Sequence, residues 1–281
     1  MIGDLHIHSK LSDGSASLED IVFYAKRSGL DFIAITDHDT LAGVSRAEIL
    51  GRRYGVGIIP GVEISARDPD NGRRVHLLCY LPQKPDRLAG LLERILEDRR
   101  RAGLVMLDRV MRSFPITEEH VMRYASASMS IYKVHIMQAL LDLGYDTRIY
   151  GDLYHSLFDK DSPNSCYEQV AYPTVDEALD AVAEADGVAV LAHPSIYRSM
   201  ELLERLAPTG RLQGVEIDHP RNHPEDQPRM RKIAEENGLI VTGGTDFHGF
   251  YASGRSNPLG SCITQEESLR RLFETALAGR E

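Results

Sequence analysis

Two histidines separated by one residue, His6-Ile7-His8, close the first apolar run, and in an extended chain both imidazoles fall on one side, where they can share a cation. Side chains of ligand type recur at the ends of later apolar runs. Asp37-His38-Asp39 follows Phe32-Ile33-Ala34-Ile35, Glu63 closes Gly61-Val62-Glu63, His76 lies in the run 75–81, His193-Pro194 follows the run 188–192, and Asp246-Phe247-His248 comes last. Asp13 sits in a turn-like Ser12-Asp13-Gly14. Neutral imidazole and carboxylate together suit manganese, zinc or iron, and the absence of clustered thiols argues against a structural Cys-type zinc site. His6, His8, Asp13, His38, Glu63, His76, His193, Asp246 and His248 are too many ligands for one ion. Two or three divalent ions bridged by carboxylates use that number, and such clusters generate hydroxide and stabilise displacement at phosphorus.

These residues need elements that bring them together. Short apolar runs alternate with amphipathic helical stretches, the pattern of a mostly parallel sheet or barrel. Candidate strands are 2–7, 32–35, 56–64, 75–81, 188–192, 212–217 and 239–242. A helix starts at Ser17, with Leu18, Ile21, Val22 and Ala25 on one face and Gly29 as a stop. Thr174 with Glu177, and Thr264 with Glu267, have the spacing of capping boxes. The last helix is expected to bury Leu269, Leu272, Phe273, Ala276 and Leu277. In a parallel barrel the strand ends share one mouth, the usual place for an active site.

The alternation fails between about Pro85 and Asp161, where helical periodicity continues without a strand signal. That stretch carries 11 Lys+Arg against 12 Asp+Glu, in a chain whose formal charge is −10. It reads as a helical insertion at 85–165, dividing the α/β unit into 1–84 and 166–281.

The whole chain has 281 residues with 32 Lys+Arg and 42 Asp+Glu, too acidic for a bulk nucleic-acid coat. At 42% hydrophobic and 26% charged it is an ordinary globular composition. No run approaches the ~18 apolar residues of a membrane helix, and the start lacks the features of a signal peptide, so the expected location is the cytoplasm, without a membrane. Cys79, Cys166 and Cys262 are far apart and read as inert thiols.

The residues Asp4-Leu5-His6-Ile7-His8-Ser9, Ser12-Asp13-Gly14, Thr36-Asp37-His38-Asp39, Gly61-Val62-Glu63, Ala192-His193-Pro194 and Asp246-Phe247-His248 resemble the polymerase and histidinol phosphatase (PHP) family. The resemblance implies a distorted seven-stranded β/α barrel with the helical insertion after the fourth strand. The layout is similar to the branch of 3′,5′-nucleoside bisphosphate phosphatases and 5′-to-3′ exoribonucleases. It further implies one ion on His6, His8, Glu63 and Asp246, a second on Glu63, His76 and His193, and a third on Asp13, His38 and His248, with manganese the leading identity. Asp37 and Asp39 could orient His38 or cap the following helix.

The implied reaction is hydrolysis of a phosphomonoester by a hydroxide bridging the ions, with Asp246 and Glu63 at the reacting centre. The substrate implied is a small phosphorylated nucleotide losing its 3′-phosphate, with no stable protein partner. Short 5′-phosphorylated RNA, histidinol phosphate, an amide substrate and a non-catalytic metal scaffold are the rivals. Candidate substrate contacts are Ser130 and Lys133 at a helix start, Tyr197 and Arg198 after His193-Pro194, and His219 and His223 on the loop after 212–217. The triplet Arg99-Arg100-Arg101 reads as a solvated helix face.

Overall fold

A computed structural model describes residues 1–251 and 257–278. From the N-terminus the elements are β1 (Ile2–Ile7), α1 (Leu18–Arg27), β2 (Phe32–Ile35), α2 (Val44–Tyr54), β3 (Gly57–Ile58), β4 (Gly61–Arg67) and β5 (Arg74–Tyr80). Four helices follow without a strand: α3 (Asp86–Met111), α4 (Glu118–Ala125), α5 (Lys133–Asp142) and α6 (Asp152–Phe158). The chain then runs through α7 (Val175–Glu184), β6 (Val188–Leu191), α8 (Met200–Leu206), β7 (Gly214–Asp218), α9 (Gln227–Glu236), β8 (Ile240–Gly243), β9 (Thr264–Gln265) and α10 (Glu266–Ala278).

Local chemistry sets several boundaries. Ser17 and Asp20 form a reciprocal cap on α1, and Gly29 follows its end at φ +75°. Thr174 accepts from the amide of Glu177, whose carboxylate answers the amide of Thr174. The run 56–64, read as one strand, divides into β3 and β4 around Ile59-Pro60, where proline offers no N–H to a ladder. Thr264 does not cap the last helix. Its hydroxyl is held between the amide and carbonyl of Gly243 while its backbone pairs with β1 as part of β9. In α10 Leu269, Leu272 and Ala276 are buried, whereas Leu277 is half exposed.

The strands form two sheets, ordered β3-β2-β1-β9 and β4-β5-β6-β7-β8. The two sheets are separate ladders, linked by isolated bridges at Ile7 with Phe247 and His38 with Glu63 rather than by continuous strand pairing. Nor are the strands uniformly parallel. β5 runs antiparallel to both β4 and β6. Apolar faces of both sheets are buried under α3, α7, α8, α9 and α10. The helices from α3 onward build a separate core of Leu107, Val110, Val121, Ile136, Met137, Leu140 and Phe158, which also receives Tyr251. Each such side chain contributes roughly 1.5–3 kcal/mol by leaving water. Among the described residues no helix is long and apolar enough to cross a membrane. Cys79, Cys166 and Cys262 are free thiols.

Candidate active site

Glu63 occupies the centre. Its Oε1 lies 2.6 Å from His76 Nδ1, 3.0 Å from His193 Nε2 and 3.3 Å from His6 Nε2. Its Oε2 lies 3.0 Å from His38 Nδ1 and 3.3 Å from His8 Nε2. Five imidazoles therefore surround one buried carboxylate. Asp246 sits beside it, Oδ1 at 3.2 Å from His8 Nε2 and 3.6 Å from His6 Nε2, and at 3.5 Å from His248 Nδ1. Asp13 approaches His248 Nε2 at 3.4 Å, His8 Nδ1 at 3.5 Å and His38 Nε2 at 3.7 Å. All nine sequence-predicted ligands thus meet in one cluster.

The fold delivers them by different routes. His6 and His8 close β1 with one residue between them, as alternation requires. His76 arrives because β5 is antiparallel: it pairs with Ser65, so the beginning of β5 lies at the same mouth as the end of β4. His193 and Asp246 hold positive φ, +26° and +50°, conformations that cost about 1–3 kcal/mol each and recur where side chains must be aimed. Gly244 leaves room for β1, since a Cβ there would collide with His6.

The atoms that approach within ligand distance form the groups His8, Asp13, His38 and His248; His6, His8 and Asp246; His6, Glu63 and His193; and His38, Glu63 and His76. The first contains the expected third set and the second most of the first. The expected second set is divided, His76 grouping with His38 rather than with His193. Several buried donors and acceptors, including His6 Nε2, both nitrogens of His8, His38 Nδ1, His76 Nδ1 and Asp13 Oδ1, are close to one another without hydrogen-bond geometry. Orphaned atoms of this kind, all metal donors, fit divalent cations.

Electrostatics agrees with that fit. Burial pushes the carboxyl of Glu63 up, but His76, His38 and His6, with the bond from His193, outweigh it and hold it well below the usual range. Burial lowers His38, and brings His76 down to about 4. Burial lowers His8 too, but the nearby carboxylates of Asp246, Glu63 and Asp13 prevail and raise it to about 10. A proton therefore fills a cation's place between those carboxylates. Manganese uptake at pH 7 is expected to release protons and to weaken as pH falls, because the ion competes with them. Titration calorimetry in buffers of different ionisation enthalpy measures this; a heat independent of buffer contradicts it.

The aspartates beside His38 do neither task expected of them. Asp37 accepts from Ser9 N at 2.8 Å, Ser9 Oγ at 2.6 Å and Ser12 Oγ at 2.6 Å, fixing the turn that carries Asp13. Asp39 accepts from Ser65 N at 2.7 Å and pairs with Arg99 Nη2 at 2.6 Å.

Above the cluster is a cavity of about 240 Å³, whose walls include Arg74, Arg99, Lys133, Arg221, Tyr132, Tyr150, Tyr154, Tyr167, Tyr172 and Tyr197. Lys133 lines it, its ammonium 4.5 Å from the ring centre of Tyr167, 5.5 Å from Phe158 and 5.8 Å from Tyr154. Tyr197 packs edge-on to His76. Other expected contacts lie elsewhere. Arg198 and His223 are exposed and off the cavity, because the loops bearing them turn to the surface. Ser130 is buried but precedes the wall, for α5 starts at Lys133 with Tyr132 as its cap. His219 lies beneath the floor, Nε2 at 3.4 Å from Asp246.

Besides five of the wall tyrosines, four charged side chains were not anticipated. Arg99 is not solvated: its guanidinium stacks on Tyr132 and Tyr172 and binds Asp39 and Ser65. Arg74 stacks on Tyr172 and Tyr197, Arg221 pairs with Asp246 at 3.2 Å, and Glu216 lies buried beneath His6. Only Glu216 had a signal in the sequence, an acid in the middle of the apolar strand Val215-Glu216-Ile217.

The PHP domain family matches residues 4–189. A phosphoribosyl 1,2-cyclic phosphate 1,2-diphosphodiesterase of Eggerthella lenta is 38% identical over 89% of this chain and 95% of its own. A 3′,5′-nucleoside bisphosphate phosphatase of Chromobacterium violaceum is 27% identical over 90% and 89%. Among solved structures, a Bifidobacterium adolescentis protein with a provisional metal-dependent phosphoesterase description superposes with a TM-score of 0.86 at 30% identity, covering 97% of this chain and 96% of that one. The chain therefore belongs to the PHP domain family, and it is a phosphoric ester hydrolase.

Proposed function

We propose that the chain hydrolyses a phosphate ester on a small ribose compound that carries a second phosphoryl group. The observation that carries this reading is the clustering of nine imidazoles and carboxylates under a small cavity whose walls supply separate cations. Its volume, about 240 Å³, is below the ~300–1,000 Å³ of sites for drug-sized ligands, which favours a compact substrate over an RNA strand. The 3′-phosphate of a nucleoside 3′,5′-bisphosphate is the specific reading from sequence. A phosphoribosyl cyclic phosphate is the second, favoured by the 38% identity to the Eggerthella enzyme. Both are small, diffusible and suited to the cytoplasm. Residues 85–165 act as a cap that contributes Arg99 and Lys133 to the cavity.

Manganese, zinc or iron ions held by His6, His8, Asp13, His38, Glu63, His76, His193, Asp246 and His248, two or three in number, would lower the pKa of water and neutralise phosphoryl charge. The chain's own residues do the rest. Burial pushes Asp246 up, but His248 and His6 outweigh it and hold it well below the usual range, so it stays ionised and orients the attacking water by accepting its hydrogen bond. Lys133 and Arg74 bind the phosphoryl group that does not react.

Burial brings the Lys133 ammonium down to about 8, and among the described residues no carboxylate forms an ion pair with it. It is charged below that pH and neutral above it, so KM is expected to rise several-fold from pH 7 to pH 9, a rise absent in Lys133→Arg. Steady-state pH profiles of both proteins measure this; parallel profiles contradict it.

The substrate reading is tested by product release from adenosine 3′,5′-bisphosphate, phosphoribosyl 1,2-cyclic phosphate, histidinol phosphate and a 5′-phosphorylated oligonucleotide, with manganese present. Turnover of either of the first two supports it. Turnover of only histidinol phosphate, or of only the oligonucleotide, overturns it.

A further inference from the structure

Glu216 is fully buried in the middle of β7 and belongs to none of the nine ligand positions. Both of its oxygens are used. Oε1 is 2.9 Å from His6 Nδ1, and Oε2 accepts from the backbone N–H of His193 at 3.0 Å. One side chain thus grips a residue from β1 and another from the turn after β6.

The hydrogen bonds decide what Glu216 does there. With a carboxylate oxygen 2.9 Å away, His6 Nδ1 is placed to donate, an arrangement that leaves Nε2 facing Glu63 and Asp246, 3.3 and 3.6 Å away. His193 holds φ +26°, and its N–H is anchored by the same carboxylate while its Nε2 meets Glu63 Oε1. His6, Glu216 and His219 also come within ligand distance of each other. A cation among those three is disfavoured, because His219 Nδ1 is taken by the amide of Arg221 at 3.1 Å and the Nδ1 of His6 is the donor to Glu216.

We infer that Glu216 is a positioning residue of the metal centre: it selects the Nδ1–H tautomer of His6 and pins the strained backbone of His193, so that two imidazoles from different strands present Nε2 to the same carboxylate. The inference rests on the reading that divalent ions bind at Glu63. A glutamine at 216 serves one role at a time. Its single carbonyl oxygen can face His6, leaving an amide group against the N–H of His193, or face His193, placing N–H groups at His6 Nδ1 and forcing the other tautomer. Losing such an orienting partner typically lowers metal affinity 10–100-fold.

The test uses the full chain and Zn2+, which is diamagnetic. In zinc-loaded wild type, ¹⁵N-resolved imidazole spectra are expected to show His6 protonated at Nδ1. Zinc titration of Glu216→Gln, with far-UV circular dichroism to confirm folding, is expected to show 10–100-fold weaker binding at one site. Nδ1 protonation of His6 is expected to be lost there. A folded Glu216→Gln protein with wild-type zinc affinity overturns the inference. So does a wild-type His6 protonated at Nε2, an outcome that decides the matter even if the variant does not fold. Wild type that binds no zinc or manganese would instead remove the metal reading itself.

Discussion

Replacing Glu63 by glutamine is expected to lower kcat/KM by roughly 10³-fold or more, about 4 kcal/mol of transition-state stabilisation. The side chain is isosteric and buried, so the loss is one of charge rather than shape. Five imidazole nitrogens lie within 3.3 Å of its two oxygens. A neutral amide offers one acceptor where the carboxylate offers two, and its NH₂ would face nitrogens that must present lone pairs. Elemental analysis of the purified variant, alongside its turnover, is expected to show depleted metal. A Glu63→Gln protein with activity within tenfold of wild type would mean that the reacting centre lies elsewhere in the cavity.

The second large effect is on stability. Arg99 leaves α3, crosses to β4 and the end of β2, and places Nη2 2.6 Å from Asp39 Oδ2 and 2.7 Å from Ser65 Oγ. Asp39 is fully buried and has no other cation paired with it among the described residues. Arg99→Met would keep the apolar contacts with Tyr132 and Tyr172 but leave Asp39 uncompensated, a change that typically destabilises by about 3–5 kcal/mol. At roughly 2–4 °C per kcal/mol, Tm is expected to fall by about 10 °C. Calorimetry of Arg99→Met and Asp39→Asn, singly and together, separates the pair from its parts. The double variant should recover much of the loss, since removing both partners leaves no buried charge. A single variant within 2 °C of wild type would show that Asp39 finds water instead.

The two effects differ in how far the sequence foretold them. The ligands were legible because strand ends are punctuated: an apolar run stops, and a histidine or an acid follows within three residues, as at His8, His38 and His193. Strand direction was not legible, since alternation reads the same both ways, and His76 became a site residue through antiparallel β5. Arg99 was hidden by its neighbours: the exposed Arg100 and Arg101 share its composition, and only the angle of α3 against β4 selects which of the three turns inward. The wall tyrosines other than Tyr197 left no pattern, because all of these but Tyr154, in α6, come from irregular segments with no period. Thr264 has the spacing of a cap, yet a partner strand claimed its backbone first, a tertiary pairing outweighing a local motif worth about 1 kcal/mol.

The centre joins β1, the first strand, to a turn some 240 positions later, and β9 then seals the flank of β1. At synthesis rates of about 5–20 residues per second, His6 and His8 wait roughly 10–50 s for Asp246 and His248 to leave the ribosome. Until then the nascent chain displays only fragments of a chelator, and hydrolysis is confined to polypeptides synthesised past His248.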